Sequence, residues 1–268
     1  MSLGVAIKGP EGVVLAADSR VTITAQGPGM EVPLHVNFDN ASKLLSFTDP
    51  NGYVGAVTYG LALIGMRTAH SYVTEFEVEL QKKAQGRLSV NEFAKHLSEF
   101  FVERWFKQGL EKYEGPGMMF LVGGYDADAP YGSVFFFEVP NNPKPEQRNE
   151  KDFGMTWGGQ LEIASRIVFG YDPALIEIVE KALALTDQGQ KAALREALKQ
   201  LQFKIPYNVL PLQDCVDLAT FLIRTTMSGL SLAIGVRGVG GKIEVATVTR
   251  NAGLKFVQKK EIHGELRP

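Results

Sequence analysis

The first twenty residues alternate between apolar and small or polar side chains, a pattern typical of β-strands. Residues 3–8 alternate in this way, and an apolar run resumes at 13–17 after a Gly-Pro-Glu turn. Together they predict an N-terminal β-hairpin. A turn at 9–11 pairs Ile7 with Val13 and, farther along, Ser2 with Asp18. Directly opposed residues have Cβ atoms about 4.5–5.5 Å apart, so this register brings a hydroxyl beside a carboxylate.

Helical and strand patterns then follow one another in runs rather than in strict alternation. Apolar residues at helical spacing predict helices over about 61–84, 89–113, 161–202 with a break near 187–189, and 212–226. Ser89 and Glu92 provide capping residues for the second helix. Predicted strands lie at 43–47, 53–59, 118–123, 133–139, 157–159, near 234, at 243–249 and at 254–258, and predicted loops at 26–33 and 141–152. Runs of strands and runs of helices favour an α+β fold.

The composition is that of an ordinary globular protein and excludes several functions. The 268 residues carry 28 Lys and Arg against 30 Asp and Glu, so no broad basic surface exists for a nucleic-acid partner. No run approaches the roughly 18 apolar residues of a membrane span, and the first residues lack the regions of a signal peptide. We therefore expect a single domain spanning 1–268, located in the cytoplasm, without a membrane partner.

Motifs for metals and organic cofactors are also missing from the sequence. The single Cys215 excludes a disulfide framework and a cysteine-based metal cluster, and its helical surroundings are typical of a buried, inert thiol. The four histidines lie far apart, and Gly238–Gly241 lacks the spacing of a phosphate-binding loop. No Gly-x-Ser-x-Gly nucleophile elbow occurs. We expect no metal and no cofactor.

Ser2 is the strongest candidate for a nucleophile. Its small side chain suits removal of Met1, which would leave Ser2 with a free α-amine. A serine hydroxyl needs an adjacent base to become a good nucleophile, and an α-amine titrates near 7.7–8.0. One residue could then supply both groups. By itself, however, a serine at position 2 is common and indicates no function.

Four segments in order resemble a known family. The run Ser2–Ile7 followed by Gly12–Thr22 closely resembles the start of mature proteasome β-subunits, which are N-terminal-nucleophile hydrolases. Ala41–Leu45 resembles the segment with the catalytic lysine, Gly55–Leu61 the strand-to-helix junction, and Arg224–Gly229 the segment near the N-terminal amine. The resemblance spans most of the chain. It implies a four-layer αββα sandwich of two antiparallel sheets, here with a helical insertion.

The resemblance also implies roles for individual residues. Ser2 is the nucleophile of a peptidase, Asp18 orients a charged Lys43, the Gly60 N–H stabilises the oxyanion, and Ser228 lies near the amine. The residue before the cleaved bond would be bound by an uncharged pocket of Val21, Thr58, Ala62 and Met66. The implied substrate is a peptide or an unfolded protein, cleaved inside a homo-oligomeric ring, with an ATPase unfoldase as a candidate partner.

The sequence departs from the family pattern at several positions. Ser2 replaces the family's threonine, Gly159 stands where a serine is usual, and Thr225 stands where the family has an aspartate. Insertions are expected at about 23–40 and 171–208. Two other functions therefore stay open: a catalytically silent scaffold subunit of a proteasome-like ring, and an N-terminal-nucleophile amidase that acts on a small amide.

Overall fold

The computed structural model describes residues 2–25 and 34–264, and their fold is α+β with three antiparallel sheets and six α-helices. Residues 26–33, expected to form a loop, lie outside the described residues. The strands are β1 (Leu3–Lys8), β2 (Val13–Ala17), β3 (Val21–Ala25), β4 (Leu34–Phe38), β5 (Leu44–Ser46), β6 (Val54–Gly60), β7 (Met118–Gly124), β8 (Ser133–Val139), β9 (Asn142–Arg148), β10 (Gly154–Gly159), β11 (Glu244–Thr249) and β12 (Gly253–Gln258). The helices are α1 (Val73–Lys83), α2 (Val90–Lys107), α3 (Leu161–Phe169), α4 (Ala174–Ala182), α5 (Gln188–Lys199) and α6 (Leu212–Leu232).

Two five-stranded sheets carry most of the fold. The first sheet has the order β10-β1-β2-β11-β12, and the second has the order β5-β6-β7-β8-β9. Strands β3 and β4 form a separate two-stranded ribbon. The central strands β1 and β2 are buried at every position, so their residues read as nearly continuous apolar runs.

Three apolar clusters show which elements pack together. Side chains from both large sheets, including Leu15, Val57 and Leu121, form one shared cluster. Helices α1 and α2 pack on the second sheet through an aromatic cluster in which Phe76 meets Phe93 with ring centroids 5.4 Å apart. Helices α3 and α6 pack on the first sheet. The burial of these apolar faces supplies the main driving force for the fold.

The register of the first hairpin differs from the expected one by one residue. The Gly9 N–H donates to the Gly12 carbonyl at 2.9 Å, so the turn has two central residues, and Ile7 pairs with Val14 rather than Val13. Continuing this register sets Leu3, not Ser2, opposite Asp18. Ser2 and Asp18 still belong to one cluster, because the side chain of Lys43 contacts both of them.

Several element boundaries also differ from the pattern-based expectations. Residues 61–68 are not helical, because Ile64 and Arg67 close a tight turn before a short 3₁₀ segment at Ala69–Tyr72. The expected loop at 141–152 contains strand β9, which pairs with β8. No strand forms near 234, because α6 continues to Leu232 and an irregular connection follows. By contrast, α2 begins where expected, with a complete Ser89–Glu92 capping box.

The described elements of the two expected insertions, β4 in 23–40 and helices α4 and α5 in 171–208, lie on the surface. Strand β4 is exposed at every position, and it pairs with β3 in the ribbon. Helices α4 and α5 have no buried residue and contact each other. Strand β4 and helices α4 and α5 therefore contribute no buried residue to the apolar clusters, whereas Tyr207, near the end of the second segment, packs against the cluster on the first sheet.

Candidate active site

Ser2, Asp18 and Lys43 meet at one buried point where the first sheet approaches β5. The Lys43 Nζ donates to Ser2 Oγ at 2.7 Å and to Asp18 Oδ1 at 2.8 Å. The exposed fractions of these residues are 3% for Ser2, 0% for Asp18 and 5% for Lys43. A lysine that links a hydroxyl and a carboxylate out of contact with water is an uncommon and chemically capable arrangement.

Four donors hold the Asp18 carboxylate in place. Its Oδ1 accepts the Leu3 N–H at 3.0 Å as well as Lys43, while its Oδ2 accepts the N–H groups of Arg20 at 3.1 Å and Gly240 at 3.0 Å. These donors come from β1, from the end of β2 and from the connection before β11. Asp18 therefore fixes the relative position of three chain segments and leaves Lys43 little freedom to move.

Lys43 is fixed through its backbone as well as its side chain. The Thr58 N–H of β6 donates to the Lys43 carbonyl at 2.9 Å. Burial lowers the pKa of Lys43, and the negative charge of Asp18 and its hydrogen bond oppose this effect. Burial disfavours the charged form of a lysine, so the environment makes the neutral amine more accessible than on a surface lysine.

An ion pair lies beside this centre. The Arg20 Nε and its second terminal nitrogen contact the two Asp39 carboxylate oxygens at 2.5 and 2.7 Å. Arg20 also donates to the Arg237 carbonyl at 3.2 Å. The hydrogen bond from Arg20 lowers the pKa of Asp39, and a bidentate pair of this kind is geometrically specific. Arg20 thus ties the residues after β2 to the end of β4 and to the connection before β11.

The end of β10 holds the backbone of Ser2. The Gln160 N–H donates to the Ser2 carbonyl at 2.7 Å, and Gly159 pairs with Leu3. Gly159 has a φ of +106°, and a Cβ added there would lie 1.9 Å from the Ser2 carbonyl oxygen. Only glycine fits this approach. The serine that the resemblance would expect at position 159 is therefore excluded by geometry.

A small pocket opens beside Ser2 and is lined by three of the four expected substrate-binding residues. Val21, Thr58 and Ala62 line it together with Ser2 and Lys43. Met66 does not, since its side chain is 88% exposed. The expected helix would have put Met66 one turn after Ala62, whereas the observed turn at 64–67 directs it to solvent. The pocket wall contributes no acidic side chain.

Gly60 ends β6 between two residues that line this pocket, Tyr59 and Leu61. Its φ is +83°, and an added Cβ would lie 2.5 Å from the Gly117 carbonyl oxygen. The left-handed conformation turns the chain out of the sheet at the edge of the pocket. This is the location expected for a backbone donor toward a bound carbonyl group.

The segment expected near the Ser2 amine is helical and forms no described hydrogen bond with Ser2. Arg224–Gly229 is part of helix α6, Ser228 is exposed, and its carbonyl accepts a hydrogen bond from Ser231. No described contact links Ser228 or Thr225 to Ser2. The segment that reaches Asp18 is instead the Gly-rich connection after α6, through Gly240. The sequence of this connection indicated only that it is not a phosphate-binding loop, and its position just before strand β11 was the available signal for a role at the site.

Four negative findings complete the description of the site. Residues 2–25 and 34–264 contain no group of three or more His, Cys, Asp or Glu side chains arranged to hold a metal ion. None of the helices in these ranges is both long enough and apolar enough to cross a membrane. No protein-family model matches the sequence, and a search of curated proteins finds no match either.

Proposed function

We propose that this protein is a peptidase of the proteasome β-subunit type, an N-terminal-nucleophile hydrolase with Ser2 as its nucleophile. The observation that carries the proposal is the buried contact of Lys43 Nζ with both Ser2 Oγ and Asp18 Oδ1. In this proposal the two large sheets and the helices packed on them form the four-layer αββα sandwich. The sequence resemblance and the packing of the three apolar clusters support that assignment.

The proposed reaction is acyl transfer through a covalent ester. Ser2 Oγ attacks the peptide carbonyl carbon, and Lys43 Nζ, the basic group at hydrogen-bond distance, accepts the hydroxyl proton. The Gly60 N–H stabilises the oxyanion, the proton passes to the leaving amine, and water then hydrolyses the ester. This assigns Lys43 the role of base rather than that of a permanently charged group. The Ser2 α-amine, once Met1 is removed, is the second basic group.

The structure favours catalysis over a silent scaffold. Placing a lysine and an aspartate in a site with almost no solvent contact requires desolvation of both charges. Asp18 has a structural role as well, but the contact of Lys43 Nζ with Ser2 Oγ serves catalysis and is not needed by a scaffold. The glycine at position 159 is also no argument for a silent subunit, because the backbone of Ser2 leaves no room for a side chain there. The amidase alternative keeps the same chemistry and differs in substrate size.

The surroundings of the reaction are part of the proposal. We infer a homo-oligomeric ring in the cytoplasm that encloses the sites, with peptides or unfolded proteins as substrates and an ATPase unfoldase as a candidate partner. The pocket beside Ser2 favours apolar residues before the cleaved bond, because burying an unpaired charge there is costly.

A panel of fluorogenic peptides with apolar, acidic and basic residues before the cleaved bond tests the proposal. We expect cleavage after apolar residues, no turnover by Ser2→Ala and Lys43→Ala, and wild-type turnover by Ser231→Ala, an exposed serine on α6. Intact mass and N-terminal sequencing should find active protein without Met1. Wild-type turnover by Ser2→Ala would remove the site assignment and leave the scaffold as the better hypothesis.

A further inference from the structure

The β3–β4 ribbon has one apolar and one polar face. Cross-strand pairing puts Val21 with Phe38 and Ile23 with Val36 on the same face. The opposite face has the pair Thr22–Asn37, joined by a hydrogen bond of 2.7 Å. On the apolar face Phe38 is 54% exposed and Val36 is 39% exposed. Large apolar side chains grouped on one exposed face indicate a binding surface rather than scattered surface residues.

This face is continuous with the cleft at Ser2. Val21 lines the pocket beside Ser2, and Ile23, two residues farther on the same face, borders the adjoining groove together with its neighbour Thr22. Leu61 and Ala62 line both cavities, so the groove adjoins the pocket. The second strand adds Val36 and Phe38 about 5 Å farther out, at the usual spacing between paired strands.

The dimensions of this surface match an extended polypeptide. A five-residue strand spans about 16 Å, which is the length of about five residues of an extended substrate. The opposite wall of the groove is contributed by Leu110, Tyr113 and Pro116, which carry no charge. A small amide held at Ser2 would reach none of these residues. The charge-free lining and the length both favour an apolar, extended chain as occupant.

We propose that the apolar face of the β3–β4 ribbon extends the substrate groove and binds apolar side chains of a polypeptide substrate at a distance from the cleaved bond. This inference rests on the proposed peptidase function and deepens it, because it names the substrate as an unfolded, apolar chain and not a short peptide or a small amide. The ribbon would act on substrate binding and leave the chemical step at Ser2 unchanged.

The test is a double variant, Val36→Thr with Phe38→Thr, which removes apolar area and places β-branched threonines, which suit a strand, at both positions. Asn37→Thr, on the opposite face of the same strand, is the matched control. We measure kcat/KM for a fluorogenic tripeptide and for a fifteen-residue peptide with apolar residues upstream of the same cleavage site. For the double variant we expect about a tenfold loss with the long peptide and less than a twofold change with the tripeptide, since lost apolar contacts affect only the substrate that reaches them.

A binding measurement separates this inference from the peptidase proposal. Fluorescence anisotropy of the labelled long peptide is recorded with Ser2→Ala protein, with and without the ribbon substitutions. Weaker binding to the ribbon variant supports the inference even if wild-type protein cleaves neither peptide, a result that would end the peptidase proposal alone. Equal binding, or equal losses for both peptides, overturns it. A lower oligomeric mass of the double variant would also overturn it and make the ribbon a contact between copies of this chain.

Discussion

The charge of Lys43 is decided by its immediate neighbours. Burial and the nearby Arg20 lower its pKa, whereas Asp18 and Asp39 raise it. A lysine with a lowered pKa is neutral in a larger fraction of molecules at a given pH. In the proposed mechanism this neutral fraction sets the rate of attack by Ser2, so the neighbours of Lys43 control the pH dependence of the enzyme.

We expect kcat/KM to rise with pH along a limb whose apparent pKa lies below the ordinary lysine value of 10.5. Asp18→Asn removes the charge that raises this pKa, so the limb should move to lower pH while the maximal rate falls. The measurement is a pH–rate profile with an apolar peptide, and Asp128→Asn, an exposed aspartate, serves as control. A limb that stays in place or moves to higher pH in Asp18→Asn would contradict the role of Lys43 as base.

Glu244 is a second buried charge near the site. It is 1% exposed, and its Oε2 has no hydrogen-bond partner among the described residues. Burial raises its pKa, while the charges of Lys260 and Lys259 and the backbone N–H groups of Lys43 and Lys260 oppose this effect. The carboxyl group is therefore easier to protonate in the folded protein than in the unfolded chain.

This shift predicts a loss of stability with rising pH. A folded-state pKa above the unfolded value gives stability that is present below about 4.5 and is lost as pH rises through the raised pKa. Glu244→Gln removes this loss. The free energy of unfolding of the variant should therefore increase relative to that of wild type between pH 4 and neutrality, as measured by denaturant titration. Glu99→Gln, at an exposed glutamate, should show no such trend. If the free energies of unfolding of Glu244→Gln and wild type changed in parallel with pH, burial would not raise the pKa of Glu244.

The junction of β1 with β10 depends on one backbone contact. Gly159→Ala places a Cβ 1.9 Å from the Ser2 carbonyl oxygen, whereas Gly86, with a φ of +77°, has open space around an added Cβ. Both changes strain the backbone, but only the first displaces Ser2. We expect Gly159→Ala to lose activity and thermal stability and Gly86→Ala to lose a little stability alone. Similar activity of the two variants would mean that the position of Ser2 tolerates movement of β10.

The hydrophobic pattern was sufficient to predict elements whose structure is determined by nearby residues in the sequence. Helix α2 has an apolar stripe and a capping box, and its start was predicted correctly. Strand β9 was missed because its prolines and charges resemble a loop, and pairing with β8 overrides that preference at a sheet edge. The hairpin register depended on which turn forms, and a one-residue change shifts every partner.

The site was predictable only in part, for a related reason. Ser2, Asp18 and Lys43 lie in segments that resemble a family motif, so their proximity could be expected before the structure. Gly240 could not, because it contacts Asp18 across 222 positions of sequence and only through its backbone N–H. A backbone donor leaves no residue-type signal, since most residues could supply the same group.

The assembled protein is expected to be a ring, and its surface offers a way to test this. Helix α4 exposes the apolar residue Ile178, and Leu183, directly after this helix, is exposed too. A proposed site for unfolded chains is best enclosed by further subunits, because free access would endanger other proteins. Light scattering at micromolar concentration should therefore give a mass several times 29.4 kDa. A monodisperse monomer that still cleaves peptides would contradict the ring.

The hydrogen bond from the Gly240 N–H to Asp18 also determines when the proposed site can be completed during synthesis. Asp18 emerges from the ribosome early, but one of its four donors is made only after nearly nine-tenths of the 268 residues have been joined. Strand β11, the central neighbour of β2, is made later still. A nascent or truncated chain therefore carries Ser2 without the frame that positions Lys43 against it. The proposed peptidase activity therefore depends on completion of the fold.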